Sequence, residues 1–217
     1  MGTKNISVVI EELSKYYNFS ERTTLNRMRK QPDPFKILIS CLLSLRARDE
    51  NTEVVSKKLF SVADTPEKIL EISTERLEEL IFSSGHYRKK ARTIKHVSEV
   101  LITDFKSTVP KKKEELLSIK GIGPKTANIV LAFAFGENVI PVDVHVHVIA
   151  NRLGWVNTKH PENTEKQLYE VLPKKYWKEL NALFVMFGKE VCITISPKCS
   201  SCPIRKVCPR IGVVRSR

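Results

Sequence analysis

A lysine and an aspartate eighteen residues apart are the side chains of this sequence best suited to covalent chemistry. Lys125 follows the turn Gly121-Ile122-Gly123 at the start of a helical pattern, and Asp143 directly precedes another helical pattern. A neutral lysine amine can form a Schiff base, and a carboxylate can accept a proton or stabilise developing positive charge. The helix dipole disfavours a cation in the first turn, which indicates a role for Lys125 other than helix stability. Asp143 can also be read as a plain helix N-cap, and it can serve both purposes.

The glycine turn itself predicts a binding site for a phosphate group. The chain has only 8 glycines, and the two in this turn indicate a backbone that needs conformational freedom. A glycine-rich turn at a helix N-terminus presents backbone N–H groups that can hold a phosphate. Lys120 adds a positive charge immediately before the turn.

Four cysteines near the C-terminus predict a metal site. Cys192, Cys199, Cys202 and Cys208 are spaced C-x6-C-x2-C-x5-C. Four thiolates in so short a loop can close around one tetrahedral ion or an iron–sulfur cluster, whereas zinc ribbons usually pair two C-x2-C units. Free core cysteines are the alternative reading, but the loop is polar. The fifth cysteine, Cys41, lies among Leu and Ile and is interpreted as a core residue.

The charge balance favours a polyanionic partner. The chain carries 37 Lys and Arg against 24 Asp and Glu, a net charge of +13, and nucleic acid is the simplest partner for such an excess. No secretory signal is visible and the apolar stretches are too short to span a bilayer, so we expect a cytoplasmic protein without a membrane partner. Disulfides are rare in that compartment, which further favours cysteines as metal ligands.

The elements that must position these residues are predicted to be helices. No pair of strand patterns with turn chemistry between them is found, so the predicted class is all-α. A basic loop with one aromatic residue, at 85–90, interrupts the helical periodicity. The predicted helices span residues 6–16, 35–45, 51–60, 66–72, 74–83, 89–104, 111–119, 144–153, 162–172 and 178–192, with a further one beginning at Pro124.

The glycine turn and the cysteine loop together resemble the endonuclease III family of DNA glycosylases. The resemblance lies in LSIKGIGPKTAN at 117–128, VDVHVHVIANRLG at 142–154 and the four-cysteine spacing, and it extends from about residue 35 to residue 208. It implies two helical lobes with DNA bound across the cleft between them. Residues 27–137 would form a central lobe with a helix-hairpin-helix motif. Residues 1–26 and 138–217 would form a second lobe with an iron–sulfur loop at 192–208.

The resemblance also implies roles for individual residues. Lys125 matches the family's catalytic lysine and Asp143 its catalytic aspartate. The backbone amides of Gly121, Ile122 and Gly123 would hold a DNA phosphate. The four cysteines match the ligands of a [4Fe-4S] cluster.

Three positions depart from the family pattern and bear on lesion preference. Arg46 stands where family members often have a glutamine, and Val144 stands where threonine is frequent. His86 stands where a bulky apolar residue commonly fills the space left by a flipped base. Arg46, His86 and Lys120 are therefore predicted to contact DNA, beside the hairpin.

The resulting prediction is a monomeric, bifunctional DNA glycosylase with abasic-site lyase activity. Its partner would be double-stranded DNA that contains an oxidised or ring-saturated pyrimidine, or an abasic site. The alternatives are a glycosylase for mismatched uracil or thymine, and a non-catalytic DNA-binding module. Adenine-specific relatives carry a glutamate in the region of Ser40-Cys41, so adenine removal is disfavoured. A metal pair at His145 and His147 is also disfavoured, because residues two apart on a helix point in different directions.

Overall fold

The structure, a computed structural model, describes residues 5–17, 32–45 and 49–217, and these residues include α-helices but no β-strand. The predicted all-α class is confirmed. No helix within these ranges is long and apolar enough to cross a membrane. The helices are α1 (Ile6–Tyr17), α2 (Pro34–Ser44), α3 (Asp49–Phe60), α4 (Pro66–Glu71), α5 (Thr74–Leu80), α6 (Tyr87–Phe105), α7 (Lys113–Ser118), α8 (Pro124–Ala134), α9 (Val144–Arg152), α10 (Pro161–Val171) and α11 (Trp177–Glu190), with a 3₁₀ turn at Lys174–Tyr176.

The described residues divide into two compact units. One unit contains residues 5–17 together with 138–217, and the other contains residues 32–45 and 49–137. The first unit is therefore discontinuous in sequence. The lobe boundaries predicted from the sequence, at residues 27 and 137, stay a prediction, and residue 27 lies outside the described residues.

Helix α1 belongs to the discontinuous unit because its apolar residues repeat at helical spacing and are buried there. Val9, Leu13 and Tyr17 are almost fully buried in a core that also contains Phe184 and Phe187 of α11. Burial of each such side chain stabilises the fold by roughly 1.5–3 kcal/mol. Hydrogen bonds fix the helix start: Asn5 Nδ2 donates to Val207 O (2.9 Å), and Trp155 Nε1 donates to Asn5 Oδ1 (2.9 Å).

Helix α2 is the central helix of the continuous unit, because almost all of its residues are buried. It packs against α3, α6 and α8. Its start is set by Asp33, whose side chain accepts a hydrogen bond from Lys36 N (3.0 Å), and by Pro34 at the first helical position. Cys41 is only 3% exposed, which confirms its interpretation as a core residue.

The predicted helix boundaries are mostly wrong by one to three residues, and the largest difference lies just before the basic loop. Helix α5 ends at Leu80 because the following residues form a turn, in which Ser84 N donates to Ile81 O (2.8 Å). Helix α6 begins at Tyr87, two residues earlier than predicted, and His86 is its N-cap. Much of the loop predicted at 85–90 is therefore the first turn of a helix.

Candidate active site

The glycine turn joins α7 to α8, and only one of its two glycines requires the freedom of glycine. Gly121 has φ +105°, and a Cβ at this position would lie 2.6 Å from Thr93 Cγ2. Gly123 is the N-cap of α8 with φ −96°, and a Cβ there would meet nothing within 4 Å. Buried Ile122 anchors the turn in the core. The expectation of an unusual backbone is confirmed for Gly121 and is wrong for Gly123.

Lys125 is the second residue of α8 and is half-buried. The N-cap of α8 is Gly123, which has no side chain to accept hydrogen bonds from the first backbone N–H groups of the helix. These N–H groups therefore need other hydrogen-bond partners. Burial raises the pKa of the nearby Cys41 thiol to about 12, and the positive charge of Lys125 acts in the opposite direction. Lys125 therefore lies within electrostatic range of the central helix α2. Lys120, on the other side of the turn, is exposed.

Asp143 is the N-cap of α9 in the discontinuous unit. It is 8% exposed, and its Oδ1 accepts hydrogen bonds from His145 N (2.9 Å) and Val146 N (3.0 Å). The preceding segment is fixed by Asn181, whose Nδ2 donates to Pro141 O (2.9 Å). The capping role read from the sequence is confirmed. Such a cap contributes about 1 kcal/mol, and it holds the carboxylate in one orientation.

The two histidines of α9 contact different helices. A Cβ added to Gly188 of α11 would lie 2.3 Å from His145 Nδ1, so His145 packs directly against that glycine. His147 Nδ1 is hydrogen-bonded to Thr164 Oγ1 of α10 (2.7 Å). Burial lowers the pKa of His147, and nearby His160 acts in the same direction. These contacts assign both rings to the packing of the unit.

His86 is exposed and has an unusual backbone. It is the N-cap of α6 with φ +60°, and its side chain makes no capping hydrogen bond. A non-glycine residue in this left-handed conformation is uncommon, and strained residues of this kind concentrate at functional sites. Val144 is also exposed, as the first residue of α9. Arg46, the other residue predicted to contact a gap in DNA, lies outside the described residues.

A buried lysine beside His86 has no counterpart in the sequence-based predictions. Lys90 is 6% exposed, and its Nζ donates to Leu43 O (2.6 Å) and to Ser84 Oγ (2.7 Å). Burial lowers the pKa of Lys90 to about 8. Sequence patterns gave no signal for it, because a run of Arg and Lys normally indicates a solvated surface. One pocket brings His86 and the hairpin glycine together; it is lined by Leu42, Leu45, His86, Lys89, Lys90, Thr93 and Gly121.

The four C-terminal cysteines line a single pocket, as their spacing predicts. Arg152 organises one wall: its Nη1 donates to Cys192 Sγ (3.2 Å) and to Cys192 O (3.1 Å). The same side chain also reaches the carbonyls of Ile193 and Thr194. Arg152 is another residue that the sequence analysis missed. It holds the first cysteine of the loop against α9.

The cysteine thiols are partly buried, and burial dominates their electrostatics. It raises the pKa of Cys192 and Cys208, and it raises the pKa of Cys202 to about 11. The neighbouring cysteines act in the same direction in all three cases. Among the residues that the structure describes, no three His, Cys, Asp or Glu side chains are arranged as the ligands of a metal ion. An iron–sulfur cluster at this pocket therefore stays a prediction.

Comparison with known proteins identifies the class to which this fold and site belong. The model of the HhH-GPD superfamily of base excision DNA repair proteins matches residues 39–174. Over 182 residues the chain is 46% identical to endonuclease III of Thermotoga maritima, covering 84% of this chain and 85% of that protein. Two solved structures have 32% identity and TM-scores of 0.86. They are a trapped covalent endonuclease III–DNA intermediate (97% of each chain covered) and a non-covalent endonuclease III–DNA complex (97% of this chain and 96% of that chain).

Fold and superfamily model together define a base excision DNA repair protein. The sequence identity to endonuclease III, which extends over most of the chain, then specifies the family within that superfamily. The chain belongs to the endonuclease III family of DNA glycosylases and abasic-site lyases.

Proposed function

We propose that Lys125 is the nucleophile of this glycosylase and that Asp143 is its acid–base partner. The observation that carries the proposal is the place of Lys125, in the first turn of α8 directly behind the Gly121–Gly123 hairpin. A cation there is unfavourable for the helix, which supports a chemical role. The related endonuclease III structure that holds a trapped covalent DNA intermediate also supports an enzyme nucleophile.

The hairpin is the proposed grip on the DNA backbone. Gly121 and Gly123 are exposed, and the turn leads into a helix N-terminus, where backbone amides favour an anion. A DNA phosphate held here would place the strand close to Lys125. The net charge of +13, with Lys120 beside the turn, strengthens the attraction for DNA. We propose that the protein acts as a monomer, in the cytoplasm on nucleoid DNA.

In the first chemical step, the amine of Lys125 would displace the damaged base from C1′ of its sugar. The neutral amine of Lys125 attacks C1′ of the damaged nucleotide, the glycosidic bond breaks, and the base leaves with the bonding electrons and acquires a proton. Asp143 would stabilise the positive charge that develops on the sugar, or accept a proton from the attacking amine. The sugar then opens, and Lys125 is joined to C1′ as a protonated Schiff base.

The second step would cut the strand. The Schiff base acidifies the proton on C2′, and removal of that proton leads to β-elimination of the 3′ phosphate. The C3′–O bond breaks, and hydrolysis of the imine returns Lys125 as a free amine. No redox partner is needed, because each bond broken is balanced by a proton transfer or by water.

The cysteine pocket is the proposed site of a [4Fe-4S] cluster, with Cys192, Cys199, Cys202 and Cys208 as its ligands. Four thiols lining one pocket fit this donor set, and the Arg152 N–H that reaches Cys192 Sγ is the kind of hydrogen bond that cluster sulfurs accept. When bound, the cluster would link four points of a loop without helices and supply a redox-active centre. The loop contains only one C-x2-C unit, whereas zinc ribbons usually pair two, and this spacing favours the cluster over zinc.

The proposed substrates are oxidised or ring-saturated pyrimidines in double-stranded DNA. Uracil or thymine in mismatches is the second candidate, because His86 and Arg46 differ from the residues common in the family. Oligonucleotide duplexes that each contain one lesion separate the two: cleavage only of uracil or thymine mismatches would reject the first candidate. A chain that binds every duplex and cleaves none would be a DNA-binding module.

The nucleophile is tested by trapping. Borohydride added during turnover reduces the Schiff base and leaves the protein covalently attached to DNA. Lys125→Ala should abolish the adduct and strand cleavage, but it should still bind an abasic duplex, because the hairpin backbone is retained.

Lys120→Ala is the matched control for charge. It removes a cation from the same turn but lies outside α8, so it should weaken binding and leave the adduct in place. Loss of the adduct in Lys120→Ala, with the adduct retained in Lys125→Ala, would show that the nucleophile is assigned to the wrong lysine.

A further inference from the structure

The buried side chain of Lys90 joins two segments that are far apart in the sequence. Its Nζ donates to Leu43 O, one of the last carbonyls of α2, at 2.6 Å. It also donates to Ser84 Oγ at 2.7 Å, and Ser84 Oγ in turn donates to Leu43 O at 3.4 Å. Ser84 is 1% exposed. Lys90 therefore fastens the end of α2 to the turn that precedes α6.

A second hydrogen bond joins the start of α3 to the same turn. Asn51 in the first turns of α3 donates from Nδ2 to Ser83 O. Leu43 and Asn51 lie on either side of residues 46–48, which contain Arg46. The end of α2 and the start of α3 are thus both tied to the turn at Ser83-Ser84.

Lys90 is also connected to His86. Its backbone N donates to His86 O (3.1 Å), which closes the first turn of α6. Lys90 and His86 line the same pocket as Leu45 and Gly121. The left-handed backbone of His86 costs free energy, so it persists only where neighbouring contacts fix it.

We propose that Lys90 is a positioning residue for damage recognition, which holds the end of α2 and the turn of His86 in a fixed relation. The inference rests on the proposed function, in which His86 fills the gap left by a flipped nucleotide. Lys90 touches neither DNA nor the reacting atoms in this role. It acts through Ser84, through Leu43 O and through the first turn of α6.

The chemistry of the contact favours this role over a purely structural one. The Nζ of Lys90 is bonded to a carbonyl and a hydroxyl and is desolvated, and this desolvation costs free energy that an apolar residue of similar length would not lose. The ammonium group of a lysine, however, can donate hydrogen bonds to two segments at once, here to Leu43 O and to Ser84 Oγ, and an apolar side chain cannot. The gain is the accurate placement of loops, and misplacement of about 1 Å can cost a binding or catalytic site 10²-fold.

The test compares Lys90→Met with Lys89→Met. Both variants lose one positive charge, but Lys89 is exposed, and the only hydrogen bond described for it is made by its backbone carbonyl, which substitution leaves in place. Affinity is measured for a duplex with a tetrahydrofuran abasic analogue and for the same duplex undamaged. Lys90→Met should lower the ratio of the two affinities by roughly tenfold or more. Lys89→Met should weaken both duplexes by the same factor.

Two further measurements separate positioning from loss of fold. A 2-aminopurine opposite the abasic analogue reports how far the gap is filled, and its fluorescence should change with Lys90→Met and not with Lys89→Met. Borohydride trapping at saturating protein should give nearly the wild-type amount of adduct, because Lys125 is not affected. If Lys90→Met does not fold, Ser84→Ala decides: it removes one acceptor of the same contact and should lower the affinity ratio in the same direction.

An unchanged affinity ratio in folded Lys90→Met, or in Ser84→Ala when Lys90→Met is unfolded, would overturn the inference. The proposed function fails by a different result. A wild-type protein that neither prefers the abasic duplex nor forms a trapped adduct would refute the glycosylase mechanism itself, and the positioning role with it.

Discussion

Thr93 of α6 occupies the space where a side chain at Gly121 would lie. Thr93 Oγ1 donates to Lys89 O (3.0 Å), and this hydrogen bond holds the side chain in one rotamer. Its Cγ2 methyl then faces the hairpin, 2.6 Å from the position of a Cβ on residue 121. The hairpin is therefore positioned by contact with α6, the helix whose N-cap is His86.

This contact predicts different effects for the two hairpin glycines. Gly121→Ala introduces a Cβ at φ +105° and against Thr93, so it should destabilise the protein by roughly 1–3 kcal/mol and weaken DNA binding. Gly123→Ala meets open space at an ordinary φ and should change the free energy of unfolding by less than about 1 kcal/mol. Denaturant unfolding of both variants measures the difference. Equal destabilisation would contradict the packing described here.

Asp143 allows capping and chemistry to be separated. Asp143→Asn keeps an oxygen that can accept from His145 N and Val146 N, so the free energy of unfolding should change little. It removes the charge, and single-turnover base removal should slow by ~10²–10⁴-fold. Asp143→Ala loses both the capping oxygen and the charge, so it should be slow and should also destabilise the protein by about 1 kcal/mol. Wild-type rates in Asp143→Asn would mean that the residue is only a cap.

The cysteine pocket predicts a coloured protein. Purified protein should be yellow-brown and contain roughly four irons per chain. Cys202→Ser should lower the iron content and the stability of the unit that contains 138–217, because metal binding and folding of such a loop are coupled. Metal analysis and calorimetry measure both.

Cys41→Ser is the control for the cysteine prediction. Cys41 is buried in α2, in the other unit, so its replacement affects packing but should leave the iron content unchanged. One zinc per chain, with no visible absorption, would contradict the cluster assignment.

Lys90 predicts a dependence of stability on pH. Its pKa in the folded protein, about 8, lies below the ordinary value of 10.5, so the unfolded chain binds more protons between these values. Stability attributable to Lys90 should therefore rise as the pH increases from about 8 to about 10.5, by roughly 1–3 kcal/mol.

Comparison with Lys90→Met isolates that contribution from other groups that titrate. His86 and Lys89 line the same pocket, whereas the two hydrogen-bond partners of Lys90 Nζ are uncharged. Lys89→Met should keep the wild-type rise, and Lys90→Met should lack it. Parallel curves for wild type and Lys90→Met, measured by urea unfolding across this range, would contradict the buried position of the ammonium group.

Features fixed by neighbouring residues could be predicted from the sequence. Asp143 as an N-cap depends only on the side chain and the amides that follow it. The four cysteines could be expected to line one pocket, because the loop between them is short. These features depend on residues that are close in the sequence, so distant tertiary contacts do not alter them.

Features that depend on distant residues could not be predicted. The burial of Lys90 is decided by Leu43, which is 47 residues away, and nothing in the run Arg88-Lys89-Lys90 distinguishes the buried lysine from its exposed neighbours. The same holds for the need for glycine at position 121, which is imposed by Thr93. Tertiary contacts also allow α6 to have an N-cap, His86, with a left-handed backbone.

The hydrogen bonds of Asn5 have a consequence for biosynthesis. Asn5 and Val207 are separated by 202 positions, and residues 32–137 of the other unit lie between them in the chain. At about 5–20 residues per second, the ribosome adds the partner of Asn5 some 10–40 s after Asn5 itself. During that interval the apolar face of α1 waits without its native core and is a potential binding site for chaperones. The cysteine loop emerges after residues 138–191 of the same unit, so a nascent chain that pauses before residue 192 would not have closed this unit and would lack all four thiols of the proposed cluster site.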